Sequence, residues 1–133
     1  MSYFSRLEKN EIAHALREWT PNKYVPYRYS TFARWIMQWR HCVENVERGY
    51  DYPLSNYIAD LEVRKHIADV MLYLSADTSV KVATLLVDLD KRFMMATGKP
   101  SRPIPGLERM ITPRLPRKLI GRLRADYERV AVV

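Results

Sequence analysis

Two groupings of side chains in this chain have types and spacing that could do chemistry, and a third deserves elimination. Glu11 and His14 lie in a stretch with helical apolar spacing, and a Glu-x-x-His pair puts a carboxylate and an imidazole on one helical face, as a di-iron bundle requires. Such a centre needs a second pair and further carboxylates, and the nearest match, Glu62 with His66, has the wrong spacing. Glu62, His66 and Asp69 do share a face and could ligate a metal, but a solvated charged helix face is the expected reading of them. His41 directly precedes Cys42, and adjacent helical residues point about 100° apart, so they cannot form a nucleophile and base pair with each other. Cys42 falls beside an apolar stripe, where a buried, inert thiol is expected. The four glycines are isolated at 49, 98, 106 and 121, so no phosphate-binding loop is present, and neither a Gly-x-Ser-x-Gly elbow nor a zinc-type cysteine cluster occurs. The sequence predicts no catalytic residue, no metal and no cofactor.

The stronger signal is charge. Residues 99 to 133 carry nine Lys or Arg against Glu108, Asp126 and Glu128, which is +6 of a net +7. Residues 1 to 98 are close to balanced. Arg114, Arg117, Lys118, Arg122, Arg124 and Arg129 fall within 16 residues, and such a cluster raises the local potential and steers anionic partners. Arginine predominates, which suits bidentate contacts to phosphate or carboxylate. A second basic stretch, Lys23, Tyr24, Tyr27, Arg28 and Tyr29, alternates rings with charge as base-stacking surfaces do. Tyrosines in a loop also commonly cover a core edge, so Tyr27, Arg28 and Tyr29 are candidate stacking residues against that simpler role.

These groups must be held by helices. Ser5 and Glu8 have capping-box spacing, and Phe4, Leu7, Ile12, Ala15, Leu16 and Trp19 then recur at helical intervals, predicting a helix over 6–19. Pro21 and Pro26 end it. Ser30 or Thr31 can cap a second helix with Phe32, Trp35, Ile36, Trp39, Val43 and Val46 inward, closing at Gly49. Pro53 opens a third, with Leu54, Tyr57, Ile58, Leu61, Ala68, Met71 and Leu72 inward and an end near Leu74. Asp77 can cap a fourth over 78–96, with Val82, Leu85, Leu86, Leu89, Phe93 and Met94 inward and Gly98 as its stop. Residues 99 to 116 carry five of the eight prolines and read as extended. Pro116 fits the first turn of a last helix with Leu119, Ile120, Leu123, Tyr127 and Val130 on one side, inside which Gly121 costs up to about 1 kcal/mol.

The expected architecture is all-α: one domain over 1–133, made of a four-helix bundle (1–98), a Pro-rich crossover and a fifth amphipathic basic helix, the last two forming a C-terminal arm (99–133). One cysteine permits no internal disulfide, no apolar leader or membrane-length apolar run is present, and a cytoplasmic protein is expected. Helices three and four with their short break resemble a helix-turn-helix in outline, with Thr78, Ser79 and Lys81 opening the reading helix, but the break lacks the usual glycine and the outer side of helix four is electrically neutral.

The functional expectation is a non-catalytic binding protein that engages an acidic protein surface, or a second copy of itself, through the arm. In that role Arg114, Arg117, Lys118, Arg122 and Arg124 orient the partner, while Leu119, Ile120, Leu123 and Tyr127 anchor it. The alternative is nucleic acid, with the same cations on phosphates and affinity falling steeply with salt. A metal-dependent bundle enzyme ranks below both, and peripheral membrane contact by the last helix is not expected.

Overall fold

The computed structural model describes residues 2–20, 27–107, 110 and 113–131. The protein is all-α, with helices α1 (Arg6–Trp19), α2 (Tyr29–Arg48), α3 (Leu54–Met71), α4 (Ala76–Ala96) and α5 (Gly121–Ala131). A two-residue ribbon, β1 (Thr97–Gly98) with β2 (Leu115–Pro116), pairs antiparallel with Thr97 opposite Pro116 and Gly98 opposite Leu115. Among the described residues no helix is long and apolar enough to cross a membrane.

Local chemistry sets the first helix start. The Ser5 hydroxyl accepts from the Glu8 N–H at 3.1 Å, and the Glu8 carboxylate accepts from the Ser5 N–H at 2.7 Å, the reciprocal box that the spacing predicts. At α2 the prediction fails: the cap position is Arg28, without a side-chain hydrogen bond, and Ser30 and Thr31 lie inside the helix. At α4 the cap is Ser75, not Asp77. Its hydroxyl accepts from Thr78 and donates to Glu11, whose carboxylate also takes the Ser75 N–H at 2.9 Å and the Thr78 hydroxyl at 2.6 Å. Burial disfavours charge on Glu11, but the donors from Thr78 and Ser75 outweigh it and hold the carboxyl below its ordinary value. Lys81 reaches Glu8 at 2.9 Å, so Thr78 and Lys81 are packed on α1 and cannot open a DNA-reading helix.

α2 touches α1, α3 and α4, and its ring-bearing stripe forms the centre of the core, with Phe32, Trp39, Cys42, Val43 and Val46 buried. Cys42 is buried, and burial followed by the nearby Asp60 charge pushes its thiol well up, so it stays protonated. Trp39 donates to Asp90 at 3.0 Å, and Arg64 grips the same carboxylate through two bonds of 3.0 and 2.7 Å, tying α2, α3 and α4 together. The inner face of α3 differs from expectation: Val63, Ile67 and Val70 are buried, while Leu72 is 83% exposed just past the helix end. Packing against α1, α2 and α5 draws apolar residues around more of its circumference than one stripe can supply.

The C-terminal segment is part of this core rather than an arm beside it. Ile104, Leu107, Leu115 and Leu123 belong to the same buried cluster as the helices, and α5 packs on α3. The last helix starts at Gly121; Pro116 instead lies in β2. The starts of α3 and α5 are cross-capped: Asp126 of α5 accepts from the Leu54 N–H at 2.9 Å, and Asp51, just before α3, accepts from the Arg122 N–H at 2.8 Å. The Tyr57 hydroxyl also donates to the Arg114 carbonyl.

Candidate anion-binding surface

Folding the segment back redistributes its side chains. Leu123 is 0% exposed, Leu119 and Tyr127 are half-buried against the core, and a Cβ built on Gly49 would stand 2.5 Å from Ile120 Cδ1. Leu119, Ile120, Leu123 and Tyr127 are therefore engaged within the chain and do not present a partner-anchoring stripe, which corrects the sequence expectation. The apolar side of a short helix finds its partner at the α3 side of its own domain, because the crossover is long enough to return it there.

The basic residues separate into two groups. Arg114 is turned inward, donating through Nε to Thr97 Oγ1 at 2.9 Å and through one terminal nitrogen to the Met94 and Thr97 carbonyls at 3.1 and 2.6 Å. Arg117 donates its Nε to the Met95 carbonyl at 3.2 Å and its backbone N–H to the Ala96 carbonyl at 3.0 Å. Both guanidinium groups thus answer orphan carbonyls at the α4 C-terminus, where the helix dipole favours a cation. Arg124 pairs with Glu128 and Arg129 with Asp126, each along its own helix. Lys118 and Arg122 are exposed, with side chains that have no partner among the described residues.

What the fold gathers is a basic concavity around the ribbon. A hollow of about 540 Å³ is lined by Lys99, Arg102 and Arg114 with Met94, Ile104 and Leu107. A neighbouring one of about 360 Å³ shares Lys99, Pro100 and Ser101 and adds Arg117 and Tyr127. No acidic residue lines either hollow among the described residues. Arg102 sits over the Tyr127 ring at 5.6 Å, and the Tyr127 and Ser101 hydroxyls are 3.2 Å apart. Hydrogen bonds with Ser101 and then Arg102 draw the Tyr127 phenol below its ordinary value. The apolar wall continues along α4, where Val80 (64% exposed), Val87 (63%) and Met94 (43%) recur every seven residues on the outward side. Met94, predicted as core, is the point where that stripe meets the cations.

The tyrosine-rich connection is built differently from a stacking surface. Lys23 and Tyr24 lie outside the described residues. Tyr27 packs edge-on to Trp19 and tilted to Trp35, with ring centres 6.1 and 6.4 Å apart. Tyr29 packs against Phe4 at 6.0 Å with the Lys9 ammonium over its ring, and burial raises its phenol. Protein contacts engage both rings, which are half-buried, while Arg28 is exposed.

Candidate metal ligands are likewise accounted for. Glu11 serves the α4 start, and His14 stands 3.6 Å from Glu18. No group of three or more His, Cys, Asp or Glu side chains among the described residues is arranged to hold a metal. His66 packs between Trp19 and Trp35, 4.9 and 5.5 Å away, with its Nδ1 buried and without a hydrogen-bond partner among the described residues. Burial lowers its pKa from 6.5, against the raising effect of Glu62 and Asp69. The unfolded chain therefore binds a proton more readily than the native one. The stabilisation that follows is complete above pH 6.5 and disappears as pH falls through the lower native value. We expect the melting temperature to drop on acidification from about pH 7 to 5, and to drop less in His66→Phe, measured by circular dichroism.

Lys99 and Arg102 did not stand out in the sequence, because proline-rich stretches carry no periodicity to say which cations converge. The class this defines is an all-α domain bearing a basic concavity, lined by no acid among the described residues, beside an exposed apolar helix stripe. No protein-family pattern matches the chain, and neither the curated proteins nor the solved structures hold a match to it.

Proposed function

We propose that this is a non-catalytic binding protein that holds an acidic, amphipathic segment of another protein. The apolar side of that segment lies on Val80, Val87 and Met94 of α4, and its carboxylates face Lys99, Arg102 and Arg117. The observation that carries this reading is the junction at Met94 between an outward apolar stripe and hollows lined by cations, with no acid among the described residues of their lining. Recognition of an amphipathic helix by such a strip draws affinity from apolar contact and orientation from charge. A second copy of the chain is the other occupant that the α4 stripe favours, since a seven-residue repeat suits helix pairing.

The test uses two probes: a short labelled peptide with Leu at heptad positions and Glu elsewhere, and a single-stranded oligonucleotide. Changing Lys99, Lys118 and Arg122 together to Ala should weaken the peptide by roughly 10-fold. Val87→Glu should weaken it comparably while leaving any oligonucleotide binding intact. If instead the oligonucleotide binds, its log affinity against log salt slope flattens by roughly three in the triple variant and Val87→Glu has no effect, phosphate is the ligand and the protein reading fails. Solution mass by light scattering separates the self-pairing case: a dimer that Val87→Glu returns to monomer assigns the stripe to a second copy.

A further inference from the structure

A separate feature lies at the opposite kind of charge, between α2 and α3 near their connection. Gln38, His41, Cys42 and Asn45 follow one stripe of α2, and Asn56 and Asp60 one stripe of α3; with Tyr50 and Tyr52 from the connection they line a hollow of about 300 Å³. Among the described residues the lining contains no Lys or Arg. The Asp60 carboxylate is half-buried and held in place by neutral donors, the Tyr50 hydroxyl on Oδ2 at 2.6 Å and Gln38 Nε2 on Oδ1 at 2.9 Å. Other hydrogen-bonded carboxylates here answer a cation or a helix start: Asp90 has Arg64, Glu47 has Arg92, Glu8 has Lys81, and Glu11 and Asp51 cap helices. Asp60 departs from that pattern.

An ionised carboxylate offers about four acceptor positions, so two donors leave capacity on both oxygens even with the Cys42 thiol beside it. A half-buried negative charge without a counter-ion is costly unless a cation neutralises it. The charge is felt by its surroundings: after burial, it is the next cause of the upward displacement of the Tyr50 hydroxyl and the Cys42 thiol. Around it, the side chains of His41, Asn45 and Asn56 have no hydrogen-bond partner among the described residues, and Tyr52 is held only by its ring contact with Tyr50. Two amide oxygens and a carboxylate are acceptors for a flat cation with several N–H groups, and the exposed ring of Tyr52, held edge-on to the buried Tyr50 at 5.5 Å, is a stacking surface for it.

We propose that this pocket binds an alkylguanidinium group, with Asp60 as its counter-ion and Asn45 and Asn56 accepting its remaining N–H donors. The group reaches the pocket either as a free small molecule or as an arginine side chain of another protein. The proposal stands independently of the basic surface, which lies around the β1–β2 ribbon.

The experiment titrates the full chain with methylguanidinium chloride, with urea as the neutral analogue of the same shape and with potassium chloride at matched ionic strength. Side-chain amide signals of Gln38, Asn45 and Asn56 are followed by nuclear magnetic resonance. Saturable shifts with a dissociation constant on the order of millimolar are expected for methylguanidinium alone. Asp60→Asn should weaken binding at least tenfold. Because that variant loses a core acceptor, Asn56→Ala, at an exposed position, provides the second arm and should weaken binding several-fold in a chain with unchanged circular dichroism. Blocked arginine amide binding more tightly than methylguanidinium assigns the pocket to a protein side chain, and equal or weaker binding to a free ligand. Shifts reproduced by urea or by salt, or unchanged in folded Asp60→Asn or in Asn56→Ala, would overturn the assignment.

Discussion

Ending the chain at Gly98 is expected to give a polypeptide that does not fold cooperatively, seen as loss of the thermal transition in circular dichroism. The missing segment contributes Ile104, Leu107, Leu115 and Leu123 to the buried cluster. Full burial is worth about 1.5–3 kcal/mol for each such side chain, together about 6–12 kcal/mol. Net stability of a domain of this size is only about 5–15 kcal/mol, and truncation also uncovers the side of α3 on which α5 packs. Polar groups are stranded as well: the Leu54 N–H loses Asp126, the Tyr57 hydroxyl loses the Arg114 carbonyl, and the α4 carbonyls lose two guanidinium groups. The milder variant Leu123→Ala should cost about 2–5 kcal/mol and leave a folded but less stable chain. A truncated form that melts cooperatively near the full-length temperature would show that α5 and the ribbon are dispensable, and would restore the picture of a body with a detachable arm.

That result bears on where function resides. If the segment is core, its cations are attached to a rigid frame and their spacing is set by the ribbon and the α4 end rather than by a tethered helix. A partner then meets a preorganised surface and loses less conformational freedom than it would in ordering an arm. Two of the arginines counted as contact residues, Arg114 and Arg117, also hold the frame together. Replacing Arg114 would therefore confuse binding with stability, which is why Lys99, Lys118 and Arg122 are better probes of charge.

What could be read from residue order follows the range of the interactions. The bounds of α1 are legible because its cap is a local exchange between Ser5 and Glu8. The α2 core stripe is legible because three large rings at helical spacing have one way to be buried together. The start of α5 is not. Pro116 has the local signature of a first helical turn, but it pairs with Thr97 in the ribbon, and the residue that starts the helix is met by Asp51, 71 positions before its hydrogen-bond donor. The excess charge of the last quarter is plain in composition. Which cations share a concavity depends on the proline-rich path between Lys99 and Pro103, which has no period to read. The outward repeat of Val80, Val87 and Met94 was present all along, masked by the stronger inward set of Val82, Leu86, Leu89 and Phe93 on the same helix. The pocket around Asp60 leaves no trace of its own, since a polar stripe on α2 is indistinguishable from a solvated face until α3 is placed beside it.

Gly121 gives the sharpest disagreement between local propensity and the folded chain. As a glycine within a helix it should weaken that helix, so Gly121→Ala should stabilise by up to about 1 kcal/mol. In the structure its φ is +53°, and a Cβ there would stand 1.8 Å from Asp51 Oδ1. An alanine must adopt a left-handed backbone at about 1–2 kcal/mol. It must also displace the carboxylate that accepts from the Arg122 N–H, and loss of such a cap costs about 0.5–2 kcal/mol. Both effects have the same sign, so destabilisation of about 1.5–4 kcal/mol is expected, a fall of roughly 4–15 °C in melting temperature. Asp51→Ala separates the two: it relieves the clash and removes the cap, so in that background Gly121→Ala should cost only the backbone conformation, about 1–2 kcal/mol. An increase in melting temperature on Gly121→Ala alone would mean that the last helix begins upstream of Gly121 and does not receive its cap from Asp51.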